Sequence, residues 1–234
     1  MKNVFAPEFI LLQLNDALFP IGSYTQSYGL ETYVQQNRVT DKTSFKTYLQ
    51  ANLRYNLLYN DLLLVKLAYF AAKENDLAQL KYLDQLSSAS KPAREIREAS
   101  SKLASRLIKT IHSLNLTSVL PIYSAYVALV NNKELSGHYA LCYGLLAAAL
   151  ELNYTATLRC YAYAQISAVV NNGVKLIPLS QTTGQQLLFE LHAELSESLA
   201  QLENLTINDF GRACPAFELR AMQHEQLYSR LYMS

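Results

Sequence analysis

Hydrophobic residues recur at helical spacing along most of the chain. Steps of three and four residues separate the members of a stripe within residues 45–57, which places them on one face of a helix that Asp41 or Thr40 would cap. The members are Phe45, Tyr48, Leu49, Leu53 and Leu57. Similar stripes occupy residues 96–111 and 188–202, and no stretch of useful length alternates as a half-buried strand does. The pattern predicts one all-α domain over residues 1–234, a bundle of about ten helices.

Helix-breaking residues predict where the helices end. Asn60-Asp61 is expected to restart the chain, and the serines of segment 87–90 are expected to end a helix that begins near Leu77. Pro92 should lie in the first turn of the helix that follows. The Asn171-Asn172-Gly173 sequence is typical of a helix C-terminus.

The sequence also predicts a site of close helix packing and an amphipathic segment in its last residues. Gly144, together with the alanines that follow it, should let another helix approach closely. Charged residues such as Glu95 are placed on the surface of the helix after Pro92. A last amphipathic piece is expected from Phe217 to Leu231, after interruptions at Gly211 and Pro215.

Composition narrows the class of protein. A formal charge of +1 argues against a nucleic-acid-binding surface, which normally needs an excess of Lys and Arg. The uncharged stretches 111–132 and 135–150 are interrupted by polar residues, Gly or Pro, so we expect buried helices and no membrane span. Three scattered cysteines without a CxxC motif, and no long apolar leader within residues 1–8, predict a cytoplasmic protein.

No motif for catalysis or for a bound metal is present. The chain lacks a phosphate-binding loop and a GxSxG nucleophile elbow, and its four histidines do not form a two-His helical pair. We therefore predict no catalytic residues, no metal ligands and no cofactor.

Residues 13–31 form the most unusual stretch of the chain. An apolar helical segment should stop at Phe19-Pro20-Ile21-Gly22, and a new helix should begin near Ser27 or Tyr28. The hydroxyls of Ser23, Thr25 and Ser27 could cap it. A turn alone does not require the aromatic and polar side chains found here, which are Tyr24, Gln26, Tyr28 and Glu31. Their presence indicates that this corner has a function.

The corner resembles the N-terminal signature of the urease accessory family UreF, which runs like LxxxDxxxPxGxxxxSxGLE. The matching residues are Leu12, Asp16, Pro20, Gly22, Ser27, Gly29, Leu30 and Glu31. A second stretch, residues 174–185, is similar to the family segment with a basic residue, an apolar-proline element and a Gln; here these are Lys175, Pro178 and Gln181, and Ser180 replaces the usual Gly. The tail 223–234 looks like the family ending, with Tyr232 in place of Phe.

The resemblance implies an all-helical accessory protein of urease maturation. Proteins of this kind bind a UreD-type protein (UreH in some species), pair with a second copy of themselves and recruit the GTPase UreG, so that nickel reaches apo-urease in a GTP-dependent step. Tyr28, Lys175 and Arg230 would form the GTPase-facing surface, and the tail 214–234 would become ordered on the UreD-type partner or back on its own fold. The partner-binding residues that the resemblance implies are Gly22, Ser27, Tyr28, Gly29, Glu31, Lys175, Gln181, Tyr228, Arg230, Leu231 and Tyr232.

Three further interpretations stay open. Arg230 or Lys175 could reach the phosphates of UreG, which would make the chain a GTPase-activating protein. His224 and Cys214 could contribute to a transient nickel site, although their spacing does not support one. A helical hydrolase or ligand-binding protein could use the corner at residues 20–28 as a pocket.

Overall fold

The computed structural model describes residues 6–116, 121–212 and 214–234. The opening residues 1–5, on which the expectation of no leader rests in part, and residues 117–120 of the uncharged stretch 111–132 lie outside these ranges. The α-helices are α1 (Pro7–Leu14), α2 (Leu30–Gln35), α3 (Lys42–Ala51), α4 (Leu63–Lys73), α5 (Leu77–Ser90), α6 (Arg94–Ser113), α7 (Pro121–Asn131), α8 (Tyr139–Ala149), α9 (Tyr154–Leu176), α10 (Gln181–Glu190), α11 (His192–Leu202) and α12 (Pro215–His224). Helices dominate the described residues and no strand occurs among them, so the all-α prediction is confirmed. None of these helices is long and apolar enough to span a membrane.

Helix α3 begins where the sequence predicts. The Asp41 carboxylate accepts from the Ser44 backbone N–H at 2.8 Å, and the Ser44 hydroxyl lies 3.1 Å from the Asp41 backbone N–H, which makes a capping box. The five members of the predicted stripe in residues 45–57 are all buried.

The expected break at Asn60-Asp61 was wrong. A π-helix (Asn52–Leu62) joins α3 directly to α4, so the chain is continuously helical across these three elements. The Asn60 amide donates to the backbone carbonyl of Asn56, four residues earlier, so its side chain supports the helix instead of competing with it.

Helix α8 lies in the centre of the molecule and packs along α4. Every residue from Tyr139 to Ala148 is buried. A methyl group on Gly144 would lie 2.3 Å from the carbonyl oxygen of Val65, so the two backbones approach more closely than any other residue would allow. The close approach expected at Gly144 is confirmed.

Helices α5 and α9 both continue beyond the residues where the sequence predicts that they end. Helix α5 continues to Ser90, because Ser87 is fully buried and the Ser90 hydroxyl donates back to the Ser87 carbonyl. Helix α9 continues past Gly173, where the ring of Phe45 occupies the position that a side chain would take.

Three smaller expectations also change. Pro92 precedes α6 by two residues and so lies outside its first turn. The leucine stripe 188–202 divides between α10 and α11, which meet at the buried Leu191. The last amphipathic piece is shorter than predicted, because α12 ends at His224 and the chain then becomes irregular up to Ser234.

Candidate functional site

The predicted corner is a long connection instead of a tight turn. Helix α1 ends at Leu14 and α2 starts only at Leu30, so the expected start near Ser27 or Tyr28 was wrong. A 3₁₀ turn (Ser23–Thr25) lies between them. The expected caps are also absent, because glycine precedes both of these elements and no side chain bonds to their first amides. The Thr25 hydroxyl donates instead to the Gly22 carbonyl, and the Ser27 hydroxyl donates to the backbone oxygen of Ser234.

Left-handed backbone conformations shape this connection. Gly22 and Gly29 have φ angles of 77° and 86°, and Tyr28 has a φ of 52°. A methyl group on Gly29 would lie 3.0 Å from the backbone nitrogen of Ala221 in α12, so Gly29 lets the corner contact that helix. The Arg106 guanidinium donates to the Ile21 carbonyl at 3.0 Å and holds the other side of the turn.

The last residues of the chain close over the corner. The backbone oxygen of Ser234 accepts from the N–H groups of Ser27 and Tyr28 at 2.6 and 3.0 Å, and from the Ser27 hydroxyl. The Ser234 hydroxyl donates to the Gln26 side chain at 2.7 Å. Residues more than 200 positions apart therefore share one buried polar network.

Glu31 holds the tail from the first turn of α2. Its carboxylate accepts from the backbone N–H groups of Leu231 and Tyr232 at 2.7 and 3.1 Å. His224 Nε2 lies 3.1 Å from the same carboxylate. Since Glu31 is almost fully buried, each of these groups compensates for the water that its carboxylate has lost.

A second carboxylate faces the other nitrogen of His224. Its Nδ1 lies 2.6 Å from Glu95 Oε2, and Arg230 Nη1 donates to Glu95 Oε1 at 2.8 Å. The expectation that Glu95 lies on the surface was wrong, since its side chain is only 11% exposed. Both ring nitrogens of His224 face carboxylates, so α2, α6, α12 and the tail converge on one ring.

The second family stretch, residues 174–185, begins near the same region at the end of α9. The Asn172 amide donates to the Gln26 carbonyl at 2.7 Å. Lys175 follows three residues later, about 4.5 Å further along the helix axis, and its side chain is exposed in the last turn. Ser180, the position that departs from the family pattern, accepts from the Thr183 N–H and caps α10. Lys175 therefore lies close to the corner, and Gln181 is exposed further on, at the start of α10.

The predicted partner-binding residues fall into an inner and an outer set. The inner set is buried and holds the corner and tail together; it comprises Gly22, Ser27, Gly29, Glu31 and Tyr232. The outer set is exposed; it comprises Lys175, Gln181, Tyr228, Arg230 and Leu231. Tyr28 belongs to neither, because its side chain lines an internal cavity. The residues 231–234 alternate between exposed and buried, so Leu231 and Met233 point outward while Tyr232 and Ser234 point inward.

No cluster of three or more His, Cys, Asp or Glu side chains suited to a metal occurs in the part of the chain that the structure describes. His224 has both ring nitrogens occupied by carboxylates, and the Cys214 thiol donates to the Tyr55 carbonyl at 2.9 Å. These contacts do not bring Cys214 and His224 together as a pair of ligands. The absence of a cofactor stays a prediction.

Sequence reasoning missed Glu95, Asn172 and Arg106 as parts of this site. Each bonds to a residue at least 85 positions away, and nothing in local spacing signals such a contact. For Glu95 the sequence held a weak signal. It lies on a helix with several charged residues, and a charged side chain that becomes buried on such a helix needs a partner.

The fold and the site define a helical protein whose distinctive surface is built from its own last residues. The comparisons with known proteins agree on what kind of helical protein this is. The UreF family model matches residues 39–192. The chain is 41% identical to the urease accessory protein UreF of Actinobacillus pleuropneumoniae serotype 3 (strain JL03) over 224 residues, which cover 96% of this chain and 97% of the relative.

Two other relatives extend this similarity. The urease accessory protein UreF of Haemophilus influenzae (strain PittGG) is 40% identical over 96% of this chain and 94% of its own length. The protein of the same name from Bacillus sp. (strain TB-90) is 35% identical over 96% of this chain and 97% of its own length. The chain belongs to the UreF family of urease accessory proteins.

Proposed function

We propose that this chain is a non-catalytic cytoplasmic scaffold of urease maturation. In this proposal it binds a UreD-type protein, recruits the GTPase UreG and supports the GTP-dependent delivery of nickel, as cargo, to apo-urease. The observation that carries the proposal is the docked tail. Its inner face is fixed by Glu31 and Gln26, and its outer face presents Tyr228, Arg230 and Leu231 to solvent.

An ordered apolar surface supports binding of a protein partner. The side chain of Tyr228 is fully exposed, and those of Leu231 and Met233 are 66% and 56% exposed. Tyr24, 65% exposed, lies beside this group, because Met233 N–H donates to the carbonyl of the next residue, Thr25. Aromatic and aliphatic side chains held in place lose little entropy when a partner covers them. We assign these apolar side chains of the outer face to the UreD-type partner.

Two exposed cations support recruitment of the GTPase. Lys175 and Arg230 both lie at the periphery of the corner, where a GTPase surface rich in carboxylates or its bound phosphates could pair with them. Buried residues such as Glu31 and Gly29 contribute by fixing the backbone that carries these cations. The paired second copy and apo-urease complete the proposed assembly.

The contacts of Arg230 favour a scaffold over a GTPase-activating protein. Its guanidinium donates to Glu95, which is a neighbour in the tail network, and its side chain remains 41% exposed. An arginine held in this way is positioned to bind a partner's surface, whereas one inserted into a nucleotide site would have to break the Glu95 pair.

The test is a co-purification of the tagged chain with the UreD- and UreG-type proteins of the same urease system, in the presence of GTP and magnesium. We expect wild type to recover both partners, and Lys175→Ala and Arg230→Ala to lose UreG while keeping the UreD-type protein. Lys109→Ala and Arg159→Ala, which remove exposed charges elsewhere, are the matched controls. Failure of wild type to recover either partner would overturn the proposal.

The rate of GTP hydrolysis by UreG, measured in the same mixtures, distinguishes a scaffold from a GTPase-activating protein. A scaffold leaves the hydrolysis rate of UreG within about twofold, whereas an inserted arginine typically raises it about 10³-fold or more. Thermal unfolding of each variant shows that lost binding does not come from an unfolded chain.

A further inference from the structure

A cavity with both apolar and polar lining residues lies on the far side of Tyr28 from the tail. Its volume is about 100 Å³, which is several times what one water molecule needs and below the size of a typical drug-binding pocket. The π-helix, α6, α8, α9 and α12 form its walls. Pro92 and Glu218 lie on its wall, and Pro92 is exposed while Glu218 is partly exposed, so the cavity reaches the surface between the start of α6 and α12.

The π-helix supplies one complete wall. Its hydrogen bonds run from residue i to residue i+5, so side chains four and five positions apart share a face. Five of its eleven residues line the cavity at this spacing: Asn52, Asn56, Leu57, Asn60 and Asp61. An α-helix of the same sequence would spread these residues over a wider arc. Long π-helical segments are rare and are found mostly at functional sites, and this one gathers three amides and a carboxylate around one space.

The opposite wall carries three tyrosines. Tyr28, Tyr139 and Tyr161 line the cavity, and none of their hydroxyls has a hydrogen bond to the residues that the structure describes. The nearby charge of Asp61 adds to burial in raising the pKa of Tyr28 and of Tyr161. Burial raises the pKa of each phenol, so each hydroxyl is neutral and can both donate and accept a hydrogen bond.

The wall holds one ion pair and one further carboxylate, Glu218, which is partly exposed. Lys91 is nearly buried, and its Nζ lies 3.3 Å from Asp61 Oδ1. The Glu218 carboxylate accepts from the Cys214 backbone N–H at 3.2 Å. The neutral polar groups include Gln165 and Asn56, whose Oδ1 accepts from Asn60 and whose Nδ2 has no partner among the described residues. A charged ligand would lose its hydration on entry, and an anion would also be repelled by Glu218, whereas a neutral ligand would meet several unused donors and acceptors.

We propose that this cavity binds one small neutral molecule that both donates and accepts hydrogen bonds, of the size and class of a simple carboxamide. Its planar amide would pair with the amides of the π-helix and the phenol hydroxyls, and its apolar part would contact the rings. This site is independent of the proposed scaffold function and of any contact with UreG or the UreD-type protein.

The test uses acetamide, with acetate and acetamidinium as isosteric probes that carry one negative and one positive charge. The full-length ¹⁵N-labelled chain is titrated with each, and the side-chain amide signals of Asn56 and Gln165 are followed by NMR. We expect acetamide to shift both signals along a saturable curve with a Kd in the millimolar range, and the two charged analogues to bind at least about tenfold more weakly. No saturable shift with acetamide would mean a cavity that holds water only, and equal binding of either ion would overturn the neutral class.

Two variants locate the site. Asn56→Leu and Gln165→Leu should each weaken acetamide binding about tenfold or more, whereas Asn204→Leu, at an exposed position outside the cavity, should not change it. Two variants on different helices keep the test informative if one does not fold. Unchanged acetamide binding in a folded cavity variant would overturn the assignment.

Discussion

His224 Nε2 lies 3.1 Å from the carboxylate of Glu31, although 193 residues separate the two in sequence. Both side chains are almost completely enclosed. The same carboxylate binds two backbone N–H groups of the tail, so the tail cannot leave the corner without exposing a buried charge and a buried imidazole together. The docked tail is therefore part of the folded structure and not a loosely attached end.

Removal of Glu31 should release the tail. Glu31→Ala leaves two amides without an acceptor and His224 with Glu95 alone, and breaking a buried ionic network of this kind costs about 3–5 kcal/mol. We expect the amides of Leu231 and Tyr232 to lose most of their protection in hydrogen exchange. The matched control is Glu98→Ala, whose carboxylate forms exposed pairs with Arg94 and Lys102 and should contribute less than about 1 kcal/mol. Equal protection in Glu31→Ala and wild type would show that the tail is held by other contacts.

Sequence patterns predicted the elements of this fold better than their ends. The stripe from Phe45 to Leu57 and the Asp41 cap were correct because they depend on interactions within one helix. The stop at Gly173 was wrong because the ring of Phe45, more than 120 residues away, packs where its side chain would be and fixes the helix. Local signals cannot report such a contact.

In the candidate site, too, the sequence identified individual residues but not the long-range contacts between them. The family resemblance drew attention to Glu31 and Arg230, but not to Glu95, which joins them through His224. Sequence spacing also gave no sign that Asn60 and Asp61 would lie in a π-helix, since the residues that usually break a helix are here bonded within it or to Lys91. The cavity that results is a property of the packed structure alone.

Gly144 should tolerate no side chain. A methyl group there would lie 2.3 Å from a backbone carbonyl of α4, which cannot rotate away, so Gly144→Ala must push the two central helices apart. We expect the free energy of unfolding to fall by roughly 3 kcal/mol or more, measured by urea denaturation. Gly184→Ala is the control, because its new methyl group would meet only the side chains of Val174 and Val170, which can adjust. A smaller loss in Gly144→Ala than in Gly184→Ala would contradict the close packing of α4 on α8.

His138 should make the fold sensitive to mild acid. It is buried at the start of α8, with Nε2 2.8 Å from the Ser88 hydroxyl, and burial together with the nearby positive charges of Lys91 and Arg97 lowers its pKa to about 3. The unfolded chain binds a proton at this residue near pH 6.5, so below that pH the unfolded state gains protons that the folded state does not. The free energy of unfolding should fall by up to about 1.4 kcal/mol per pH unit between pH 6.5 and 3 from this residue.

A comparison with His138→Gln isolates this contribution. The variant should be less stable than wild type at pH 7.5, because glutamine cannot reproduce the hydrogen bond of the ring, and the difference should shrink as the pH falls to 5. All other titrating groups are common to both proteins and cancel. A stability difference that stays constant from pH 7.5 to 5 would mean that His138 is protonated in the folded state.

The three cysteines should differ in reactivity as a result of their burial. Cys142 is fully enclosed in α8 and its pKa is raised to about 12, chiefly by burial, whereas Cys160 and Cys214 are only partly enclosed. At pH 8 the thiolate fraction of Cys142 is on the order of 10³-fold below that of an unperturbed thiol, and the reagent also has no access to it. Timed alkylation with iodoacetamide, read by peptide mass spectrometry, should label Cys160 and Cys214 first and Cys142 only through unfolding. Addition of urea above the unfolding midpoint should bring the three rates within about twofold, and fast labelling of Cys142 in native buffer would show that α8 is not enclosed as the structure has it.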